Sequence, residues 1–111
     1  PALERRIRER GIEQLCILAG QQQQVEPWLA GIDVFVLSSE SESSPNSLLE
    51  AMAAGCAVIG SNVGGVPELI PTKDTGLLFS AGSVEELSTR LKQLCTDPLL
   101  CREMGQAAAR R

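Results

Sequence analysis

The glutamate best placed for chemistry in this sequence, Glu50, falls inside a predicted helix that is otherwise apolar. Ser44 suits the residue that precedes a helix, because its hydroxyl can accept from free backbone N–H groups, and Pro45 suits the first helical position. Every residue from 48 to 54 except Glu50 is apolar, and Gly55 can adopt the left-handed conformation that ends a helix. The pattern predicts a helix that is packed on most sides.

The position of Glu50 predicts a site for a phosphate and a sugar. A carboxylate among apolar neighbours is costly unless another group pairs with it. The side chain leans toward the helix start, over Asn46, where the N–H groups of residues 45 to 48 (Pro45 has none) lack helical partners. The positive pole of the helix dipole lies there and favours an anion. A phosphate beside a sugar whose hydroxyls donate to Glu50 would satisfy both features, and Glu42 could line the same opening.

The same pattern is compatible with an ordinary α/β core, in which Glu50 pairs with a neighbouring arginine or a backbone amide. Structural ion pairs also occupy such positions. Periodicity alone leaves both interpretations open.

Strands and helices alternate along the chain. Apolar runs predict four strands, at residues 15–18, 33–37, 57–60 and 76–79. Three further helices are predicted at 2–10, ended by Gly11, at 25–30, with Trp28 and Leu29 facing inward, and as a short turn at 66–70. A fifth helix follows a capping box from Ser83 to Glu86 and has an apolar stripe of Val84, Leu87, Leu91 and Leu94. The last begins after Asp97 and Pro98, and its apolar face is Leu100, Met104 and Ala108. This order predicts an α/β fold with a Rossmann-like, doubly wound parallel sheet.

Small and polar residues follow three of the predicted strands. They are Gly20-Gln21, Ser38-Ser39 and Ser61-Asn62. Ligands of doubly wound sheets bind outside the carboxyl ends of the strands, so we expect these residues to border one crevice.

Composition limits the classes of function. The 111-residue chain is 43% hydrophobic with a mean hydropathy of +0.03, which predicts one globular domain. A net charge of −4 with 3% aromatic residues argues against nucleic acid as a partner. No apolar run approaches the roughly 20 residues of a membrane span. Arg5, Arg6, Arg8 and Arg10 alternate with Glu4 and Glu9 and predict a solvated helix face, with contact to a membrane surface as the alternative.

The four cysteines, Cys16, Cys56, Cys95 and Cys101, lack the paired spacing of a zinc site, and the chain contains no histidine. We therefore expect no metal and no cysteine catalysis, since the usual imidazole base is absent. All four are interpreted as reduced structural residues of a cytoplasmic protein.

The motif around the central helix resembles that of a known enzyme family. Glu42 and Glu50 have seven residues between them, and the run 45–55 is PNSLLEAMAAG. Together with DVFVLSS before it and CAVIG, GGVPELI and GLLF after it, the motif is similar to the E-x7-E signature of retaining GT-B glycosyltransferases, in the large family-4 group. The resemblance covers nearly the whole chain in the family's order.

The resemblance implies that residues 1–111 form a single, truncated domain, part of the GT-B C-terminal domain that holds a nucleotide-diphosphate sugar (UDP- or GDP-sugar) as substrate, with no permanently bound cofactor. Glu50 would accept from the ribose hydroxyls, and Glu42, the catalytic candidate, would face the transferred sugar. The distal phosphate would be held by the backbone around Ser44, Pro45, Asn46, Ser47 and Leu48, and the base would be bordered by Gly20, Gln21 and Gln22. The acceptor, a glycan, lipid or small molecule, would bind an N-terminal domain outside this chain. The full-length protein could also make peripheral contact with a membrane.

Two departures from the family pattern matter. Ser43 stands where the family usually has glycine, and the family's Arg and Lys pair comes from a segment upstream of residue 1. Without those cations a diphosphate near two carboxylates is repelled, so we expect the chain alone to be inactive and to bind nucleotide weakly. A GT-B nucleotide-sugar epimerase and a non-catalytic interaction domain derived from the same fold are the alternatives.

Overall fold

A computed structural model of the chain describes residues 2–18, 26–38 and 46–110. The three strands of these residues are β1 (Val34–Leu37), β2 (Ala57–Ser61) and β3 (Leu77–Phe79). The helices are α1 (Ala2–Glu9), α2 (Glu26–Leu29), α3 (Asn46–Ala53), α4 (Val66–Leu69), α5 (Val84–Cys95) and α6 (Pro98–Ala109), with a 3-10 turn at Glu13–Leu15. None of the helices in the described ranges is long and apolar enough to cross a membrane.

The strands form one parallel sheet in the order β1-β2-β3, and helices cover both of its faces. Alternate residues of β2 point to opposite sides, so that Val58 joins a core with α3 and α4, while Ile59 joins a second core with α5 and α6. Every residue of β2 is buried, as expected for a central strand covered on both faces. The predicted Rossmann-like, doubly wound α/β fold is thus confirmed.

The predicted strand at residues 15–18 is wrong. Leu15 ends the 3-10 turn, the following residues are not in a strand, and the side chains of Leu15 and Ile17 are each 82% exposed. A strand requires a neighbour that pairs with its backbone N–H and C=O groups, and the described part of the chain supplies none beside this segment. Its apolar composition could not reveal that dependence.

Two side chains predicted to face the core are exposed. Trp28 of α2 is 44% exposed although Leu29 beside it is buried, and Val84 at the start of α5 is exposed. Trp28 lies in the short helix α2, and Val84 lies in the first turn of α5. In both places too few residues are available to define which face of the helix is apolar. The remaining stripe of α5 is confirmed at Leu94, which is fully buried.

The predicted starts of the two long helices, α5 and α6, agree with the structure, and so do the glycines predicted to end α1 and α3. Gly11 and Gly55 follow α1 and α3 with φ of 66° and 85°, the left-handed region that glycine adopts without a Cβ clash. Asp97 caps α6, because its Oδ1 accepts from the Leu100 N–H at 3.1 Å.

We predict that Asp97→Ala will lower the free energy of unfolding by about 1 kcal/mol, because one orphan N–H of α6 loses its side-chain acceptor. Urea denaturation measures the change. Asp97→Asn, which keeps an oxygen in the same place, should retain most of the stability, and equal losses for both variants would contradict a capping role.

The capping box at α5 is only half formed. Ser83 Oγ accepts from the Glu86 N–H at 3.2 Å, as predicted. The Glu86 carboxylate, however, accepts from the Ser80 N–H at 2.8 Å instead of returning to Ser83. This bond from the Ser80 backbone lowers the pKa of Glu86, and Arg90 lowers it further.

The lowered pKa of Glu86 predicts a pH dependence of stability. Because the folded protein holds this carboxyl ionised more strongly than the unfolded chain does, its contribution is present above the ordinary pKa and is lost as pH falls through the lowered value. Glu86→Gln should therefore flatten the decline of the urea midpoint on acidification, whereas Glu85→Gln should not. Parallel curves for Glu86→Gln and the wild type would contradict the assignment.

A close contact between backbones fixes α6 against the turn that follows α3. A Cβ atom on Gly105 would overlap with the Gly55 carbonyl oxygen and approach the Ala57 nitrogen to 3.3 Å. Only glycine therefore allows α6 to lie this close to the start of β2.

Candidate functional site

The carboxyl ends of the strands and the start of α3 provide the polar groups of the candidate site. Leu37 pairs with Gly60, so β1 and β2 end close to the same level. Ser38 after β1 and Asn62 after β2 are exposed. That these residues border one crevice stays a prediction, since Gly20-Gln21 and Ser39 lie outside the described residues. Ser61 differs, because it is the last residue of β2 and is fully buried.

The first residues of α3 divide between solvent and core. Asn46 and Ser47 are exposed, whereas the side chain of Leu48 has no exposed surface and packs in the core with Val58 and Val66. Leu48 can therefore reach a ligand only through its backbone N–H. The first N–H groups of a helix lack intrahelical acceptors and lie at the positive end of the dipole, so the start of α3 suits an anion.

The expectation that apolar residues surround Glu50 is wrong. Its carboxylate is exposed, and α3 buries only one stripe, formed by Leu48, Ala51 and Met52, against the sheet and α6. An exposed carboxylate is solvated and needs no partner, so burial cost does not support a ligand role. Glu50 still follows Asn46 by one helical turn, on the same exposed side.

The packing beneath α3 holds the helix in place at the sheet. A Cβ on Gly60 of β2 would lie 2.7 Å from Val66 Cγ1, so glycine lets α4 approach the strand closely. Leu48 contacts the same region from α3, with its Cδ2 4.0 Å from that Cβ position. The start of α3 is thus supported by a core that leaves little room for adjustment.

Several predicted site residues lie outside the described residues. They are Glu42, Ser44, Pro45, Gly20, Gln21 and Gln22, together with Ser43. Their roles stay predictions.

The opposite, amino-terminal edge of the sheet contains a cavity that the sequence analysis did not predict. Its volume is about 640 Å³, and Asp33 before β1 and Gly55 before β2 line it. Cys95, Cys101 and Arg102 from α5 and α6 also contribute. Sequence spacing gave no indication of this cavity, since its residues come from three distant segments.

The four cysteines differ in their burial, and they are not all core residues. Their reduced state stays a prediction. Cys56 is buried, and its thiol donates to the Leu29 carbonyl at 3.4 Å. Burial raises the pKa of the Cys56 thiol, with a smaller contribution from Asp33. Cys16 and Cys95 are exposed, so the interpretation of all four cysteines as structural residues is wrong for these two.

The sequence matches the family of glycosyl transferases group 1 over residues 2–111. The chain belongs to this family. Among curated members, it is 42% identical over 97 residues to N-acetyl-alpha-D-glucosaminyl L-malate synthase of Bacillus anthracis. That match covers 87% of the chain and 26% of the relative, so this group 1 chain spans about a quarter of the curated relative's length.

Solved structures place the group 1 chain in the GT-B fold. Sucrose-phosphate synthase of Thermosynechococcus elongatus superposes with a TM-score of 0.89 at 25% identity, covering 97% of the chain and 28% of the synthase. HepE of Anabaena, solved in complex with UDP, superposes with a TM-score of 0.91 at 23% identity, covering 98% of the chain and 30% of HepE. At this identity, the likeness to HepE shows that the two proteins share a fold.

Proposed function

We propose that this chain is the donor-nucleotide-binding part of a retaining GT-B glycosyltransferase, which transfers a sugar from a nucleotide diphosphate to an acceptor. One observation carries the proposal. The exposed amino end of α3, with Asn46 and Ser47, lies at the carboxyl edge of a doubly wound sheet, and Glu50 follows one turn behind. That edge is where sheets of this kind bind nucleotides.

The proposed chemistry uses the start of α3 for the diphosphate. The free N–H groups and the helix dipole would stabilise the negative charge that builds up on the leaving nucleotide. Leu48 would contribute its N–H only, because its side chain is committed to the core. Glu50, as an acceptor-only carboxylate, would take hydrogen bonds from both ribose hydroxyls, and Glu42 would orient the transferred sugar.

The proposed donor is a UDP- or GDP-sugar. The UDP bound in HepE, which has the same fold, makes a uridine nucleotide the first to test. The acceptor would be a glycan, lipid or small molecule held by a further N-terminal domain of the full-length protein. We place the full-length enzyme in the cytoplasm, with peripheral contact to a membrane if the acceptor is a lipid.

Calorimetry on the full-length protein tests nucleotide binding directly. UDP or GDP should bind with measurable heat, and UMP and GMP, which have the same bases but a single phosphate, serve as the matched controls. Absence of heat with every nucleoside diphosphate would contradict the proposal and would favour a non-catalytic interaction domain.

The stereochemistry of the product tests the reaction. Proton NMR of the first product formed from a UDP- or GDP-sugar should show the anomeric configuration of the donor. An inverted product would refute the retaining assignment. Conversion of the nucleotide sugar to its epimer without an acceptor would show that the enzyme is an epimerase and not a transferase.

A further inference from the structure

Two thiols on neighbouring helices line the cavity at the amino-terminal edge of the sheet. Cys95 is the last residue of α5, and Cys101 is in the first part of α6, after the connection at Thr96 and Asp97. Both cysteines contribute to the wall of the 640 Å³ cavity. Cys95 is exposed and Cys101 is partly exposed, so a small oxidant dissolved in water can reach the pair.

Cys101 is held in a defined position. Its thiol donates to the Asp33 carbonyl at 3.7 Å, a long contact that directs the sulfur toward the part of the cavity lined by Asp33, just before β1. Burial raises the pKa of the Cys101 thiol, and negative charge on Asp33 and on Cys95 raises it further. The position of Cys95 on the same cavity wall, at the end of the preceding helix, places the two thiols on adjoining helix ends.

We propose that Cys95 and Cys101 form an oxidisable dithiol site, which closes to a disulfide between α5 and α6 when the protein meets hydrogen peroxide. The Cys95 thiolate attacks one peroxide oxygen, breaks the O–O bond and becomes a sulfenic acid, with release of one water after proton transfer. The Cys101 thiol then loses its proton and attacks that sulfur, the S–O bond breaks, and the leaving hydroxide takes up a proton to give a second water. In total two thiols are oxidised by two electrons and one peroxide is reduced to two waters.

The other two cysteines do not line this cavity. Cys56 is 2% exposed, and its thiol is directed to the Leu29 carbonyl at 3.4 Å and the Ile32 carbonyl at 3.8 Å. Cys16 is exposed but does not line the cavity. They therefore provide matched controls with buried and exposed thiols.

Tryptic mapping of the folded chain tests the proposal directly. Trypsin releases both proposed partners in one peptide, residues 93–102, and leaves Cys16 and Cys56 together in another, residues 11–73. After peroxide treatment and alkylation, peptide 93–102 should carry no alkyl group and should be lighter than the reduced peptide by about 2 Da, the two lost hydrogens. Dithiothreitol should restore two alkylation sites.

Variants and an unfolded control decide between outcomes. Cys95→Ser and Cys101→Ser should each abolish the loss of mass, whereas Cys16→Ser and Cys56→Ser should leave it unchanged. In a glutathione redox buffer the folded protein should form the bridge at least about fivefold more readily than the urea-unfolded chain. Unmodified peptide, a bridge to Cys16 or Cys56, a disulfide-linked dimer, or equal bridging in urea would each overturn the proposal.

Discussion

Glu50→Ala in the full-length protein should lower kcat/KM for the nucleotide-sugar donor about 100-fold, because the two hydrogen bonds proposed between the ribose and a charged acceptor would be lost together. The carboxylate is exposed on α3, and alanine is the strongest helix former, so the substitution should leave the fold intact. The loss therefore reports ligand contact and not stability. Steady-state kinetics with varied donor, at saturating acceptor, measures the effect.

The control for this variant is Glu85→Ala, which removes an exposed glutamate from α5. It should leave donor kinetics unchanged. Wild-type kcat/KM in Glu50→Ala would remove the ribose role, and an equal loss in Glu85→Ala would indicate a general effect of surface charge.

Gly105→Ala should lower the free energy of unfolding by about 2 to 4 kcal/mol, since the added methyl group would overlap with the Gly55 carbonyl. Helix propensity alone predicts the opposite sign, because alanine is favoured over glycine by about 1 kcal/mol in a helix. The steric term is larger, and the obstacle is backbone, which cannot rotate away as a side chain would. Urea denaturation of the protein gives the difference.

The neighbouring residue supplies the control for the Gly105 prediction. Gln106 is exposed on the same helix, so Gln106→Ala should change the stability by less than about 0.5 kcal/mol. A Gly105→Ala variant as stable as the wild type would mean that α6 does not lie against the Gly55 turn.

Elements whose cause is local were predicted from the sequence. Ser83 and Asp97 cap α5 and α6 through hydrogen bonds that span three residues, and Gly55 ends α3 through its own backbone freedom. The strands β1 and β2 were also predicted, because a continuous apolar run is typical of a strand covered on both faces. The caps and the glycine depend on neighbouring residues alone, whereas the apolar runs of β1 and β2 form strands because each has a strand beside it.

Features that depend on neighbours were not predictable in the same way. The apolar run at 15–18 is a strand only if another strand lies beside it. The burial of α3 was overestimated because Ala53 and Ala54 are apolar by type, yet a methyl group costs little when exposed. The sequence pattern could not reveal that Glu50 is exposed, so its proposed role depends on its place near the start of α3 and on family membership.

The buried thiol of Cys56 has a use in measuring the motion of the segment that precedes β1. Its sulfur contacts the carbonyls of Leu29 and Ile32, and the residue is 2% exposed, so a thiol reagent can reach it only after the surrounding structure opens locally. When reclosing is faster than labelling, the rate of labelling at low reagent concentration reports the free energy of the opening that exposes Cys56 under native conditions. In a variant with Cys16→Ser, Cys95→Ser and Cys101→Ser, Cys56 would be the single cysteine that the reagent can label.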